Sequence, residues 1–182
     1  MPKIIVSTPD IRVIPSCARN QAQILEIAEA TQVFSNEEVE CIGELFAEYI
    51  QRGSASGYQF ISCHRGDELL GFCCFGKRES TIGTYDLYWI CTDVHSQRGG
   101  VGKLLMREAE GLVSKQDGYL IIVETSDKDI YLSARRFYES LGYENAMQVA
   151  DFYGPNDGIV IYSKYLKSSQ VFTNHIDNRE GG

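Results

Sequence analysis

The chain has 182 residues, 43% of them hydrophobic, and a formal net charge of −8; at this size one core forms without disulfide or metal staples. The acidic balance argues against a nucleic-acid surface, which needs a basic stripe, and suits a cationic partner. The six cysteines (Cys17, Cys41, Cys63, Cys73, Cys74 and Cys91) form no CxxC, and no apolar run reaches signal-peptide or membrane-span length, so the expectation is a reduced cytoplasmic protein that binds no metal and no membrane.

In chain order, Ile11 to Ile14 reads as a short strand and Ala18 to Thr31 as a helix, with Ile24, Leu25, Ile27 and Ala28 as its apolar positions. Ser35 with Glu38 is a capping-box signature, opening a second helix whose Val39, Ile42, Phe46, Tyr49 and Ile50 form one stripe. Strands over Tyr58 to His64 and Leu69 to Phe75 flank the hairpin signal Arg65-Gly66-Asp67-Glu68. Tyr85 to Thr92, aromatic and β-branched, is a fourth strand, and simple alternation puts Asp86, Tyr88, Ile90 and Thr92 on one of its faces. After a glycine-rich turn, Val101, Leu104, Leu105, Ala109, Leu112 and Val113 recur at helical spacing.

The near-continuous apolar run Tyr119 to Thr125 has the character of a buried strand. It is followed by a helix with Ala134, Phe137, Tyr138 and Leu141 on one face and Gly142 in position for a left-handed cap. Tyr143 to Tyr153 and Ile159 to Lys164 are a last strand pair turning at Gly154-Pro155-Asn156-Asp157-Gly158. Residues 1–167 are expected to form one domain, and the polar, non-periodic residues 168–182 a mobile tail. His64 and His175 read as a strand residue and a tail residue rather than ligands.

Chemistry concentrates at Gln97-Arg98-Gly99-Gly100-Val101-Gly102-Lys103, between a strand and a helix. Unsatisfied amides at a helix start, with the macrodipole behind them, attract an anion, and a phosphate suits this loop. Arg98, Lys103 and Arg107 gather positive charge around it. A Walker loop would require a glycine at position 97 and Ser or Thr at position 104, where the chain has Gln97 and Leu104. A dinucleotide fingerprint would require a third glycine at position 105, where it has Leu105.

The remaining pattern, Gln or Arg, two residues, Gly, one residue, Gly or Ala, resembles the pyrophosphate loop of the GNAT superfamily of acetyl-CoA-dependent N-acetyltransferases. A second resemblance follows at the matching distance in Ala134-Arg135-Arg136-Phe137-Tyr138-Glu139-Ser140-Leu141-Gly142-Tyr143, and the likeness covers about residues 58 to 166. It implies an α/β fold in which a mixed, mostly antiparallel twisted sheet of about seven strands is flanked by about four helices. It also implies acetyl-CoA as co-substrate and an acceptor pocket covered by the first two helices and their link, Thr31 to Asn36. A small-molecule amine is the expected acceptor. A protein N-terminus or lysine, a longer acyl donor, a non-catalytic CoA-binding module and a homodimer stay open.

By the same resemblance, Gln97 to Lys103 hold the pyrophosphate, while Ile90, Cys91 and Thr92 grip the acetyl carbonyl and pantetheine arm through their backbone. Ala134 and Tyr131 complete the cofactor side. Tyr131 stands where many relatives carry an Asn for the pantetheine arm, and two additional residues separate Glu124 from the helix. Amide formation needs a base for an amine of pKa near 10 and an acid for a thiolate of pKa near 8.5. Tyr138 fits the acid. Asp86, eleven residues before Gln97, matches the glutamate base of the histone-acetylating branch, and Glu124 that of the branch acting on ribosomal-protein N-termini. Cys91 as a covalent nucleophile lacks an activating histidine, since His95 lies beyond the strand.

Overall fold

The computed structural model describes residues 11–96 and 99–166. Its order is β1 (Ile11–Pro15), α1 (Gln21–Ala30), α2 (Asn36–Arg52), β2 (Tyr58–Arg65), β3 (Glu68–Lys77), β4 (Thr84–Thr92), α3 (Val101–Lys115), β5 (Leu120–Ser126), α4 (Leu132–Ser140), β6 (Glu144–Gly154) and β7 (Asp157–Tyr165). The strands form one seven-stranded sheet in the order β1-β2-β3-β4-β5-β7-β6. Short turns join β2 to β3 and β6 to β7 antiparallel. β4 and β5 run parallel, which a hairpin cannot connect, and α3 supplies the crossover.

Each sheet face carries its own apolar layer. On one face α3 and α4 lay Val101, Leu105, Met106, Ala109, Val113 and Tyr138 against Ile61, Cys73, Leu87, Ile121 and Val123. On the other, Ile24, Ile27, Ile42 and Phe46 of α1 and α2 cover Phe60, Phe72, Cys74 and Cys91. Phe46 meets Phe60 edge-on at 5.1 Å between ring centroids, and burying each ring contributes about 1.5–3 kcal/mol. Ile50 and Leu104, expected on the apolar stripes, are instead exposed.

The local signals form as physical chemistry dictates. Ser35 accepts the Glu38 amide at 3.2 Å while the Ser35 amide donates to Glu38 Oε2 at 2.8 Å, closing the capping box of α2. Gly142 adopts φ +81°. There its amide bonds to the Glu139 carbonyl and the Tyr143 amide to the Tyr138 carbonyl, the paired bonds of a Schellman cap that ends α4. All six cysteines are free thiols, and no group of three or more metal-ligating side chains occurs among the described residues. No helix among them is long and apolar enough to cross a membrane. The tail expected from residue 168 onward, with His175, lies outside the described residues.

Candidate active site

The site begins where two parallel strands part. β4 and β5 pair only from Thr84 with Leu120 to Leu87 with Val123. Beyond that point Trp89 to Thr92 stay bonded to β3, and Glu124 to Ser126 to β7. The parting coincides with an irregularity in β4: Cys74 pairs with Trp89 and the next β3 residue, Phe75, with Leu87. Tyr88 is therefore an extra residue, and such a bulge bends and twists its strand. From Tyr88 onward the edge of β4 that faces β5 carries no ladder bonds, leaving the backbone of Ile90, Cys91 and Thr92 beside the opening.

The same bulge overturns the expected alternation. Asp86, Tyr88, Ile90 and Thr92 do not share a face, because an extra residue shifts the phase of every side chain after it. Ile90 packs on the α3–α4 side with Tyr85 and Leu87, whereas Trp89 and Cys91 face α1 and α2. Nothing in the run Tyr85 to Thr92 marks the phase change, since aromatic and β-branched residues fill both registers equally well.

At the mouth of the fork the glycine loop leads into α3. Gly100 is the N-cap with φ +80°, and no side chain caps it. The first helical bond runs from the Leu104 amide to the Gly100 carbonyl at 3.0 Å, so the amides of Val101, Gly102 and Lys103 precede the helical ladder and point out of its start. Gly99, Gly100 and Lys103 are exposed. Gln97 and Arg98 lie outside the described residues. A Cβ at Gly102 would lie 3.1 Å from Phe137 Cζ and 3.8 Å from Thr92 Cγ2, so this glycine fits between the end of β4 and α4.

Tyr138 reaches from α4 into the core on this side, 7% exposed, with the rings of Phe137, Tyr143 and Tyr162 around it. Burial pushes its phenol up from the ordinary tyrosine value, and the Cys73 and Cys91 thiols add to the shift. The proton is thus held firmly at neutral pH, the state an acid requires. Cys91 is buried and its thiol is pushed up to about 12 by desolvation, the opposite of an activated nucleophile. His95 is exposed and His64 is enclosed in β2.

The two candidate bases meet through a residue that the sequence reading missed. Arg78 Nε donates to both Asp86 oxygens at 2.8 and 3.0 Å, and its Nη2 contacts Asp86 Oδ1 at 2.6 Å and Glu124 Oε1 at 2.8 Å. The signal lay in the hairpin register. Gly76 pairs with Asp86 and the Arg78 amide bonds to Thr84, so Arg78 stands diagonal to Asp86 on the same face, within reach of a long side chain. The aromatic side chains nearby are Tyr88, stacked edge-on with Tyr58 at 5.5 Å, and Tyr153, whose phenol is raised by burial and then by Glu124. Tyr131 is half-buried and donates its phenol proton to the Val33 carbonyl in the α1–α2 link at 3.2 Å, while Ala134 packs against the core below.

A family model of the acetyltransferase (GNAT) domain matches residues 56–145. A crystal structure from Desulfovibrio desulfuricans, assigned to the GNAT family of acetyltransferases, is 32% identical, with a TM-score of 0.84 over 86% of this chain and 99% of that one. The chain belongs to the GNAT family. The fold is shared more widely, with an aminoglycoside 6′-N-acetyltransferase complexed with coenzyme A (16% identity, TM-score 0.67, 85% of this chain and 96% of that one). It is shared also with the ribosomal-protein-S18-alanine N-acetyltransferase of Escherichia coli (15% identity, TM-score 0.69, 90% and 98%). No curated protein matches the sequence. The GNAT fold supports acyl transfer, and the forked strands with the glycine loop at their mouth are the features of this chain to which that chemistry must be fitted.

Proposed function

We propose that this GNAT protein is a single-domain, cytoplasmic N-acetyltransferase that moves the acetyl group of acetyl-CoA to the primary amine of a small molecule by direct attack in a ternary complex. The observation that carries the reading is the β4–β5 fork, with free helix-start amides at its mouth, a buried protonated tyrosine on one side and two carboxylates on the other. Gln97 to Lys103 cradle the pyrophosphate with backbone amides, where the α3 dipole favours negative charge. The pantetheine arm runs past Ala134 into the fork. Amides of Ile90, Cys91 and Thr92 polarise the thioester carbonyl and stabilise the charge that develops on its oxygen.

The ammonium first loses a proton through water to Asp86 or Glu124, and the freed amine nitrogen bonds to the carbonyl carbon. As the carbon–sulfur bond breaks, Tyr138 protonates the departing sulfur and recovers a proton through water from the nitrogen of the adduct, giving an amide, free CoA thiol and one released proton. The acidic side chains and the aromatic rings of Tyr58, Tyr88 and Tyr153 favour an acceptor that arrives as a cation. The test is thiol release from acetyl-CoA across amino acids, polyamines, aminoglycosides and lysine- or N-terminus-bearing peptides, with mass analysis of the product. Release with a small amine supports the reading. Tight CoA binding without release for any amine overturns it in favour of a CoA-binding module, and turnover confined to longer acyl donors overturns the choice of acetyl.

A further inference from the structure

Arg78 has no part in the chemistry just described, yet it is the one cation among the described residues that pairs with either carboxylate. Its Nη2 contacts Asp86 on β4 and Glu124 on β5 at once, at 2.6 and 2.8 Å, so the two carboxylate oxygens lie no farther apart than the sum of those distances. The strands bring them there by register. Asp86 pairs with Ile122, and Glu124 follows two residues later on the same face, where the ladder has already opened. Arg78 itself is anchored at the base of the β3–β4 turn, its amide on the Thr84 carbonyl at 2.9 Å and its carbonyl accepting Thr81 Oγ1 at 2.7 Å.

Two carboxylates this close repel one another, and a guanidinium shared between them offsets that repulsion. Among the described residues, the other titratable groups facing the pair add no positive charge: Tyr88 from β4 with Tyr58 beyond it, and Tyr153 from β6, which Asp157 and Glu38 also influence. We propose that Arg78 is a positioning residue that binds Asp86 and Glu124 into one ionised unit across the mouth of the fork, so that the base in this enzyme is the bridged pair rather than either carboxylate alone. The proposal rests on the acetyl-transfer reading for its kinetic consequence but not for its electrostatic one.

The test compares the full-length wild type with Arg78→Ala, Arg78→Lys and the double variant Arg78→Ala/Glu124→Gln. Two readouts are used: the acid limb of kcat/KM with an accepted amine, and carbon-13 titration of the Asp and Glu carboxyls without any substrate. In Arg78→Ala, one carboxyl titration and the acid limb should both move to higher pH by about one unit or more, the lower end of the range for an adjacent arginine because Arg78 and Glu124 are partly exposed. Arg78→Lys should restore part of the shift, and removing Glu124 in the alanine background should reverse it. Carboxyl titrations unmoved in Arg78→Ala overturn the proposal. So does an acid limb that stays fixed while the carboxyls move, since the pair would then not be the base. A wild type inert toward every amine, with carboxyls that still shift on removal of Arg78, overturns the acetyl-transfer reading and leaves the bridging role supported.

Discussion

Gly102 touches Phe137 so closely that a Cβ would stand 3.1 and 3.2 Å from two of its ring carbons. The glycine loop and the α4 motif are thus fitted to each other. One supplies the missing side chain and the other the ring that fills the space.

Gly102→Ala should fold with a stability loss of about 1–3 kcal/mol from overpacking and a modest loss of CoA affinity. Gly102→Asp adds a negative charge where the pyrophosphate would approach α3, so its affinity should fall well beyond that of the alanine variant. Calorimetric titration with CoA, alongside thermal melts, separates the packing effect from the charge. Equal CoA affinity in the two variants would remove the phosphate from this loop.

Tyr138→Phe keeps the buried ring and removes only the hydroxyl. The melting temperature and CoA affinity should hold, while kcat falls on the order of 10²-fold, the scale of one acid–base group. Because burial raises the phenol, Tyr138 should contribute no alkaline limb in the neutral range. Thiol release at the wild-type rate would reduce Tyr138 to a packing residue.

Much of this was legible in the chain because the signals are local. Ser35 and Glu38 cap a helix three residues apart, Gly142 ends one, and strand, glycine turn, helix and strand succeed one another over residues 85 to 125. The Tyr88 bulge was not legible, because only the pairing partner on β3 reveals that one residue is extra. Arg78 was missed for the same reason: its role depends on a hairpin register and on a second strand 46 residues away. Ile50 and Leu104 keep helical periodicity yet are exposed, since periodicity names a face of a helix and not how far the neighbouring layer covers it.

His64 leads to a stability prediction. It is buried in β2 and its Nε2 has no hydrogen-bond partner. Desolvation lowers its pKa, with the nearby Arg12 and Arg19 charges adding to the effect. A histidine held neutral in the fold contributes nothing against stability above the unfolded pKa of about 6.5. As pH falls below that value the unfolded chain takes up a proton the native state resists, and stability drops until the lowered native pKa is passed. His64→Phe should therefore match the wild-type melting temperature or exceed it near pH 8, and its advantage should grow as the pH falls from about 6.5 toward 5. Melting curves with the same pH dependence in both proteins would show that His64 is protonated in the fold without penalty.

Tyr131 lies in the β5–α4 connection, at the position where the family resemblance implies an Asn. Its phenol bonds to the Val33 carbonyl across 98 residues, which ties that connection to the α1–α2 link, the segment the resemblance implies covers the acceptor. We propose that a side chain committed to this bond serves the acceptor rather than the pantetheine arm to which the family resemblance assigns it. Tyr131→Phe keeps the ring but loses a bond worth about 0.5–1.5 kcal/mol, so the link should loosen and the acceptor KM rise severalfold, while kcat and the acetyl-CoA KM stay near wild type. Tyr131→Asn removes the ring as well and should raise the acceptor KM further. Initial rates with each substrate varied in turn give both constants. If the asparagine variant instead improves acetyl-CoA affinity and leaves the acceptor KM unchanged, the position belongs to the cofactor side, and the bond to Val33 is a by-product of a larger side chain in the same place.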